Sequence, residues 1–302
     1  MKAELYYFTG TGNSLSVAKK LADILRAEKI DATSVPIASA MRRAAAVPGT
    51  AIHPDAEFIG IVFPVYYVDL PNIVKVFAAK LEGLEGKYIF TVATYGGGKG
   101  CSVDSLAGLI ERQGGTLSAG YGIHMPQNAF YKFWERKKKL LRRAEKKIAT
   151  IAGEVAARKT NLKTKSPPEK NGRPGIRGKL HSMFIEASRK FLADLSGAPP
   201  EASIEESINA AAIRLEAGES CNGGGICAKI CPAGNIRMTA GKPEWLHRCE
   251  NCRACLNWCP RQAVVGKMFS KRYFYRHPDV VIGDMLMQSG LVRNNLSGQE
   301  LL

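Results

Sequence analysis

Nowhere does the 302-residue chain run apolar for anything near the roughly 20 positions that cross a bilayer, which excludes a helical membrane protein. Its opening residues, MKAELYYFTG, hold no apolar stretch followed by a small-residue cleavage site, so no secretory leader is expected and a cytoplasmic location is. The dinucleotide signature G-x-G-x-x-G is missing, because Leu15 stands at its third glycine, and no Gly-Lys-Ser/Thr completes a nucleoside-triphosphate loop. Cysteine is nearly absent outside one short stretch. Seven of the eight lie between 221 and 259, in spacing suited to thiolate ligands, which argues against a disulfide framework.

Acidic residues are also few, 27 against 43 Lys and Arg, for a net charge of +16. Nearly all the excess sits in residues 132–190, which hold 19 Lys and Arg and 5 Glu, a net of +14. Such a segment could bind nucleic acid, but a helix with an apolar face normally turns its cations to solvent. Acidic redox partner proteins are the expected counterpart, and nucleic acid is the minor alternative.

At 45% hydrophobic, the chain has material for one sizeable core and a smaller module. Short β-rich runs at 2–8, 57–63 and 87–94 each end where turn or glycine residues begin, as buried parallel strands do, and weaker strands are expected near 32–37 and 116–123. Between them helices are predicted at 14–28, 71–82 and 102–113, the first with Leu15, Ala18, Leu21, Ala22 and Leu25 on one face. Five strands alternating with helices predict a doubly wound α/β domain over 1–159. Its last helix, within 132–159, places Ala144, Ile148, Ile151 and Val155 opposite the basic residues of RKKKLLRRAEKK. Residues 160–217 are read as a basic linker, rich in Pro and Gly to 178, followed by helices at 179–195 and 201–217. The cysteine module is assigned to 218–266 and a tail to 267–302.

The stretch FTGTGNS joins the first strand to the first helix, the place where an open α/β sheet binds its ligand. A helix start offers unpaired N–H groups, Thr9, Thr11, Asn13 and Ser14 add polar side chains, and Gly10 and Gly12 permit close backbone approach, so a phosphate suits the loop. The loop resembles the phosphate loop of flavodoxins, which bind FMN. Two further loops leave the same end of the sheet. FPVYYVDLP supplies Pro64, Val65, Tyr66 and Tyr67, and TYGGGKG supplies Thr94, Tyr95, Gly96, Gly97 and Gly98. A flavin ring needs a flat aromatic face and nearby backbone hydrogen bonds, which these loops offer, without indicating which tyrosine stacks. Each motif alone is often only a turn or a rim contact; it is their joint placement that points to FMN. MPQNA, at 125–129, borders the same region, His124 is the side chain placed to donate a proton unless it is a plain surface histidine, and Cys101 is a free thiol without assigned role. No catalytic residue is assigned.

CENCRACLNWCP, residues 249–260, has the C-x₂-C-x₂-C-x₃-C-P spacing of bacterial ferredoxins, in which the fourth cysteine serves a second cluster. Zinc would favour separated ligand pairs. Stepping 28 residues from Cys221, Cys227 and Cys231 reaches Cys249, Cys255 and Cys259, whereas Gly224 corresponds to Cys252. The cross-ligation rule assigns Cys249, Cys252, Cys255 and Cys231 to one [4Fe-4S] cluster, and Cys221, Cys227 and Cys259 to a site one ligand short. That second site is open to three readings: a [3Fe-4S] cluster, a [4Fe-4S] cluster with an outside ligand, or vacancy. Residues 235–246 between the two runs read as a hairpin with Ala240 and Gly241 in its turn.

Together these motifs resemble the flavodoxin–ferredoxin fusion proteins of anaerobic bacteria and archaea, sometimes called ferrodoxins, over about 1–130 and 218–266, with a similar RYFYRHPD stretch beyond. The resemblance implies a flavodoxin-like five-stranded parallel sheet followed by a small α+β bacterial-type ferredoxin module. It also implies phosphate ligands from Thr9 to Ser14, and a protein that passes electrons between FMN and iron–sulfur clusters. Gly224 departs from the family, which has cysteine there. The alternatives are an oxidoreductase that reduces a small substrate at the flavin and, last, a redox-sensing nucleic-acid binder.

Overall fold

The computed structural model describes residues 1–47, 49–128, 137–162, 176–266 and 274–290. Five strands, β1 (Lys2–Tyr7), β2 (Asp31–Pro36), β3 (Phe58–Pro64), β4 (Tyr88–Tyr95) and β5 (Leu117–His124), form one all-parallel sheet in the order β2-β1-β3-β4-β5. This is the strand order of the flavodoxin-like doubly wound fold, and it reverses between β1 and β3, opening a crevice beyond the carboxyl ends of those strands. The central strands are legible as apolar runs because helices cover both faces; every residue from Phe58 to Phe63 is buried.

The covering helices are α1 (Asn13–Ala27), α2 (Ile37–Ala45), α3 (Asn72–Ala78), α4 (Ser102–Arg112) and α5 (Lys137–Ala156). The apolar stripe of α1 is buried as its spacing predicts. α2 is not among the helices predicted from the sequence; its buried face is Ile37 with Ala38, Ala40 and Ala44, and alanine gives a weak hydrophobic signal. α5 buries Ala144, Ile148, Ile151, Ala152 and Val155, while Lys138, Lys139, Arg142, Arg143, Lys146 and Lys147 lie exposed. Residues 132–136 of the expected basic helix, residues 163–175 of the expected linker, and 267–273 and 291–302 of the expected tail lie outside the described residues.

The second half holds α6 (Ile176–Ser196) and α7 (Ile204–Ile213), where Ser203 and Glu206 form a reciprocal capping box. Beyond them come β6 (Glu216–Ala217), α8 (Ile226–Ile230), β7 (Ile236–Thr239), β8 (Lys242–Trp245), α9 (Ala254–Trp258), β9 (Val264–Val265) and α10 (Ile282–Gln288). β6 pairs antiparallel with β9, and β7 with β8 through a turn whose Ala240 and Gly241 both have positive φ, the geometry of a tight type I′ hairpin.

The 28-residue repeat of the sequence is also a repeat of backbone conformation. α8 and α9 are both five residues long, and left-handed residues precede each at corresponding positions, Gly223 with Asn251 and Gly225 with Arg253. After the helices the correspondence continues with Gly234 and Gln262, both at positive φ. Two turns of one design therefore present the two cysteine runs.

Candidate functional site

A cavity of about 750 Å³ opens at the carboxyl ends of β1, β3 and β4. From the loop after β1, Thr9, Gly10, Thr11 and Asn13 reach its wall; Gly12 and Ser14 lie behind it. Gly12 caps α1 with φ near +98°, which an L side chain rarely adopts, and its N–H donates to Thr9 Oγ1 at 3.0 Å. The Ser14 hydroxyl shares a 2.8 Å hydrogen bond with Thr94 Oγ1.

The loop after β3 contributes Pro64, Val65, Tyr66 and Tyr67. Tyr66 and Asp69 close a tight turn by exchanging backbone hydrogen bonds of 3.1 and 3.0 Å, forcing positive φ on Tyr67 and on β-branched Val68. Such strain persists only where surrounding structure imposes it. The loop after β4 adds Thr94, Tyr95, Gly96, Gly97 and Gly98, and the segment after β5 adds Met125 to Asn128; Ala129 lies outside the described residues. The Tyr95 ring lies parallel to His124, centroids 5.6 Å apart, and His124 Nε2 meets the Gly96 carbonyl at 2.9 Å. His124 thus serves the loop and is not on the cavity wall. The Cys101 thiol donates to the Val68 carbonyl at 3.3 Å, also off the wall.

Four wall residues carried no local sequence signal. Phe191 and Leu195 come from α6, and Asn251 and Arg253 from the turn before α9. The Asn251 side-chain amide donates to the Tyr67 hydroxyl, and Arg253 Nη1 donates to the Asn128 carbonyl at 3.4 Å. Between them, Cys252 presses on the loop after β1: a Cβ on Gly10 would lie 1.9 Å from the Cys252 carbonyl oxygen. Trp258 Nε1 donates to the Gly10 carbonyl at 3.1 Å, fixing the same contact.

Cys231, Cys249, Cys252 and Cys255 line one void of about 20 Å³, whose wall also includes Asn251 and Arg253, so the two cavities share a partition. Burial, then the nearby Cys231 and Glu250, push the Cys249 thiol up to about 12. Burial and then neighbouring cysteines raise Cys252 and Cys255 as well. Cys227 is raised by burial and then by Cys259 and Cys221, and Cys227 in turn raises Cys255 of the other run. Backbone N–H groups aim at the sulfurs at equivalent places in the repeat: Asn235 N donates to Cys231 Sγ at 3.2 Å and Ala263 N to Cys259 Sγ at 3.4 Å. Asn251 N donates to Cys249 Sγ at 3.3 Å. Among the described residues, no three His, Cys, Asp or Glu side chains form a group that could grip a metal ion.

No family model matches the chain, and no curated protein does. Among solved structures, the chain is similar to the two-electron reduced flavodoxin of Megasphaera elsdenii, at 24% identity over 48% of this chain and 98% of that one, with a TM-score of 0.33. It is similar to a flavodoxin from the domain Archaea, at 16% identity over 51% of this chain and 99% of that one, with a TM-score of 0.35. An FMN-dependent NADH-azoreductase from Bacillus anthracis aligns at 12% identity over 52% of this chain and 100% of that one, with a TM-score of 0.36. These likenesses concern about half of the chain, and the strand order establishes the fold without them. Among the described residues no helix is long and apolar enough to cross a membrane.

Proposed function

We propose that the chain is an electron-transfer protein that binds FMN in the large cavity and iron–sulfur clusters on its two cysteine groups. The observation that carries this is the shared partition: the residues on either side of Cys252 line the cavity into which the loop after β1 also opens. FMN exchanges electrons singly or in pairs and iron–sulfur clusters singly, so adjoining sites let one chain convert between the two.

The residues fit both groups. Thr9, Gly10, Thr11 and Asn13 would receive the phosphate at the start of α1, where a helix offers N–H groups and a positive dipole end. Tyr66, Tyr67 and Tyr95 offer aromatic surface for the ring. The group of four cysteines is all sulfur, with Cys231 and Cys252 buried, Cys249 and Cys255 half-buried, and backbone N–H donors to Cys231 and Cys249, which suits thiolates bound to iron. The void itself holds little more than a water, so the donor set carries the fit. Four ligands to a four-iron cube attach to different irons; they surround a volume and need not converge on one point. The exposed cations of α5 suit an acidic protein as donor or acceptor.

Cys221, Cys227 and Cys259 would hold a [3Fe-4S] cluster, the fourth position opening to solvent at exposed Gly224. Gly224 does not have positive φ, and among the described residues a Cβ there would meet only Asn222 Oδ1, at 3.3 Å. Gly224→Cys therefore has room to complete the second site. Isolated without oxygen, the wild-type chain is expected to carry one FMN and about seven irons with a [3Fe-4S] paramagnetic signal; Gly224→Cys is expected to carry about eight and lose that signal. Protein with neither flavin nor iron would overturn the proposal. Equal iron and equal spectra in the two proteins would overturn the open site alone.

A further inference from the structure

We infer that the C-terminal segment 274–290 is a strap that positions the loop after β1 for a phosphate, with Gln288 as its principal positioning residue; the inference rests on the FMN reading above. Gln288 is fully buried, and its amide engages both backbone groups of Thr9. The Thr9 N–H donates to Gln288 Oε1 at 2.7 Å, and Gln288 Nε2 donates to the Thr9 carbonyl at 2.9 Å. Two further contacts follow along the loop. His277 N–H donates to the Thr11 carbonyl at 2.8 Å, and the Tyr275 hydroxyl donates to Asn13 Oδ1 at 2.7 Å. A Cβ on Gly12 would lie 3.0 Å from both His277 Cβ and Val280 Cβ, so the strap lies flat against the loop.

The chemistry follows from the planar trans peptide, in which the carbonyl of one residue and the N–H of the next point in opposite directions. Gln288 holds the Thr9 carbonyl on the strap side and Trp258 holds that of Gly10, so the N–H groups of Gly10 and Thr11 are turned away from these partners. Both residues line the cavity, where an anion requires N–H groups and is repelled by carbonyl oxygens. The strap is anchored at its other end to the cysteine module. Tyr275 N donates to Asn257 Oδ1 at 2.7 Å, and the Arg276 guanidinium lies 5.2 Å from the centre of the Trp258 ring. Lys19 of α1 pairs with Asp284 of α10 at 2.5 Å, closing the strap over the start of the helix.

The test compares FMN with riboflavin, which has the same ring and no phosphate. The full chain, stripped of flavin, is titrated with each. Gln288→Ala leaves both Thr9 backbone groups unpaired, and is expected to weaken FMN binding about ten- to hundredfold while changing riboflavin binding less than about threefold. Tyr275→Phe removes a single hydroxyl and is expected to weaken FMN selectively by about three- to tenfold. It decides the matter if Gln288→Ala does not fold. Equal losses for the two flavins would make the strap merely structural and overturn the inference, as would no loss in either variant. A wild-type chain that binds neither flavin would instead sink the underlying FMN reading, and this inference with it.

Discussion

Gly10→Val is expected to part the cysteine module from the loop after β1 and to cost the protein its flavin. The added Cβ would lie 1.9 Å from the backbone oxygen of Cys252, and no flexible side chain is available to yield. One of the two loops must move, which breaks the 3.1 Å bond from Trp258 to the Gly10 carbonyl and draws Asn251 and Arg253 from the cavity wall. Overpacking of this kind costs about 1–3 kcal/mol, which for a chain of this size lowers the unfolding midpoint by roughly 2–5 °C. Gly153→Ala is the control, since nothing lies within 4 Å of a Cβ there. Thermal unfolding followed at the flavin and far-ultraviolet bands reads both effects, and an unchanged midpoint with full flavin content would contradict the packing described for Gly10.

Cys255→Ala is expected to remove about four irons, leaving about three on the other cysteine group. Cys255 lines the four-cysteine void but not the large cavity, so flavin binding should survive where iron does not. Cys101→Ala supplies the comparison, because Cys101 belongs to neither cysteine group and its thiol is turned to the Val68 carbonyl. Iron and flavin counts on the three proteins settle the outcome. Unchanged iron in Cys255→Ala would contradict the grouping of Cys255 with Cys231, Cys249 and Cys252.

What could be seen beforehand depended on how local each signal was. The strands β1, β3 and β4 announced themselves as apolar runs, since burial on both sheet faces removes the alternation that would otherwise blur them. The cysteine repeat was visible as spacing, and its backbone counterpart follows because left-handed turns at Gly223 and Asn251 recur at the same step. α2 leaves little signal because its buried face is a single isoleucine, Ile37, with three alanines. In the sequence Gly10 and Gly12 point to close backbone approach by a phosphate. The structure places Cys252 against Gly10, and His277 with Val280 against Gly12. A glycine reports the need for space and not the identity of what fills it. Phe191, Leu195, Arg253 and Gln288 were invisible for a related reason: each acquires its place only when a distant segment folds back on the sheet, and no periodicity or spacing records that return.

The proposed function requires flavin and iron–sulfur clusters to share one electron pool in one chain. An anaerobic reductive titration, followed together at flavin and cluster absorbance, tests it most directly. Uptake of about four electrons per chain is expected, two on FMN and one on each cluster, with both chromophores re-equilibrating after each addition. Uptake of about two electrons confined to the flavin, or clusters that stay oxidised while the flavin is fully reduced and equilibrated with a mediator, would contradict it.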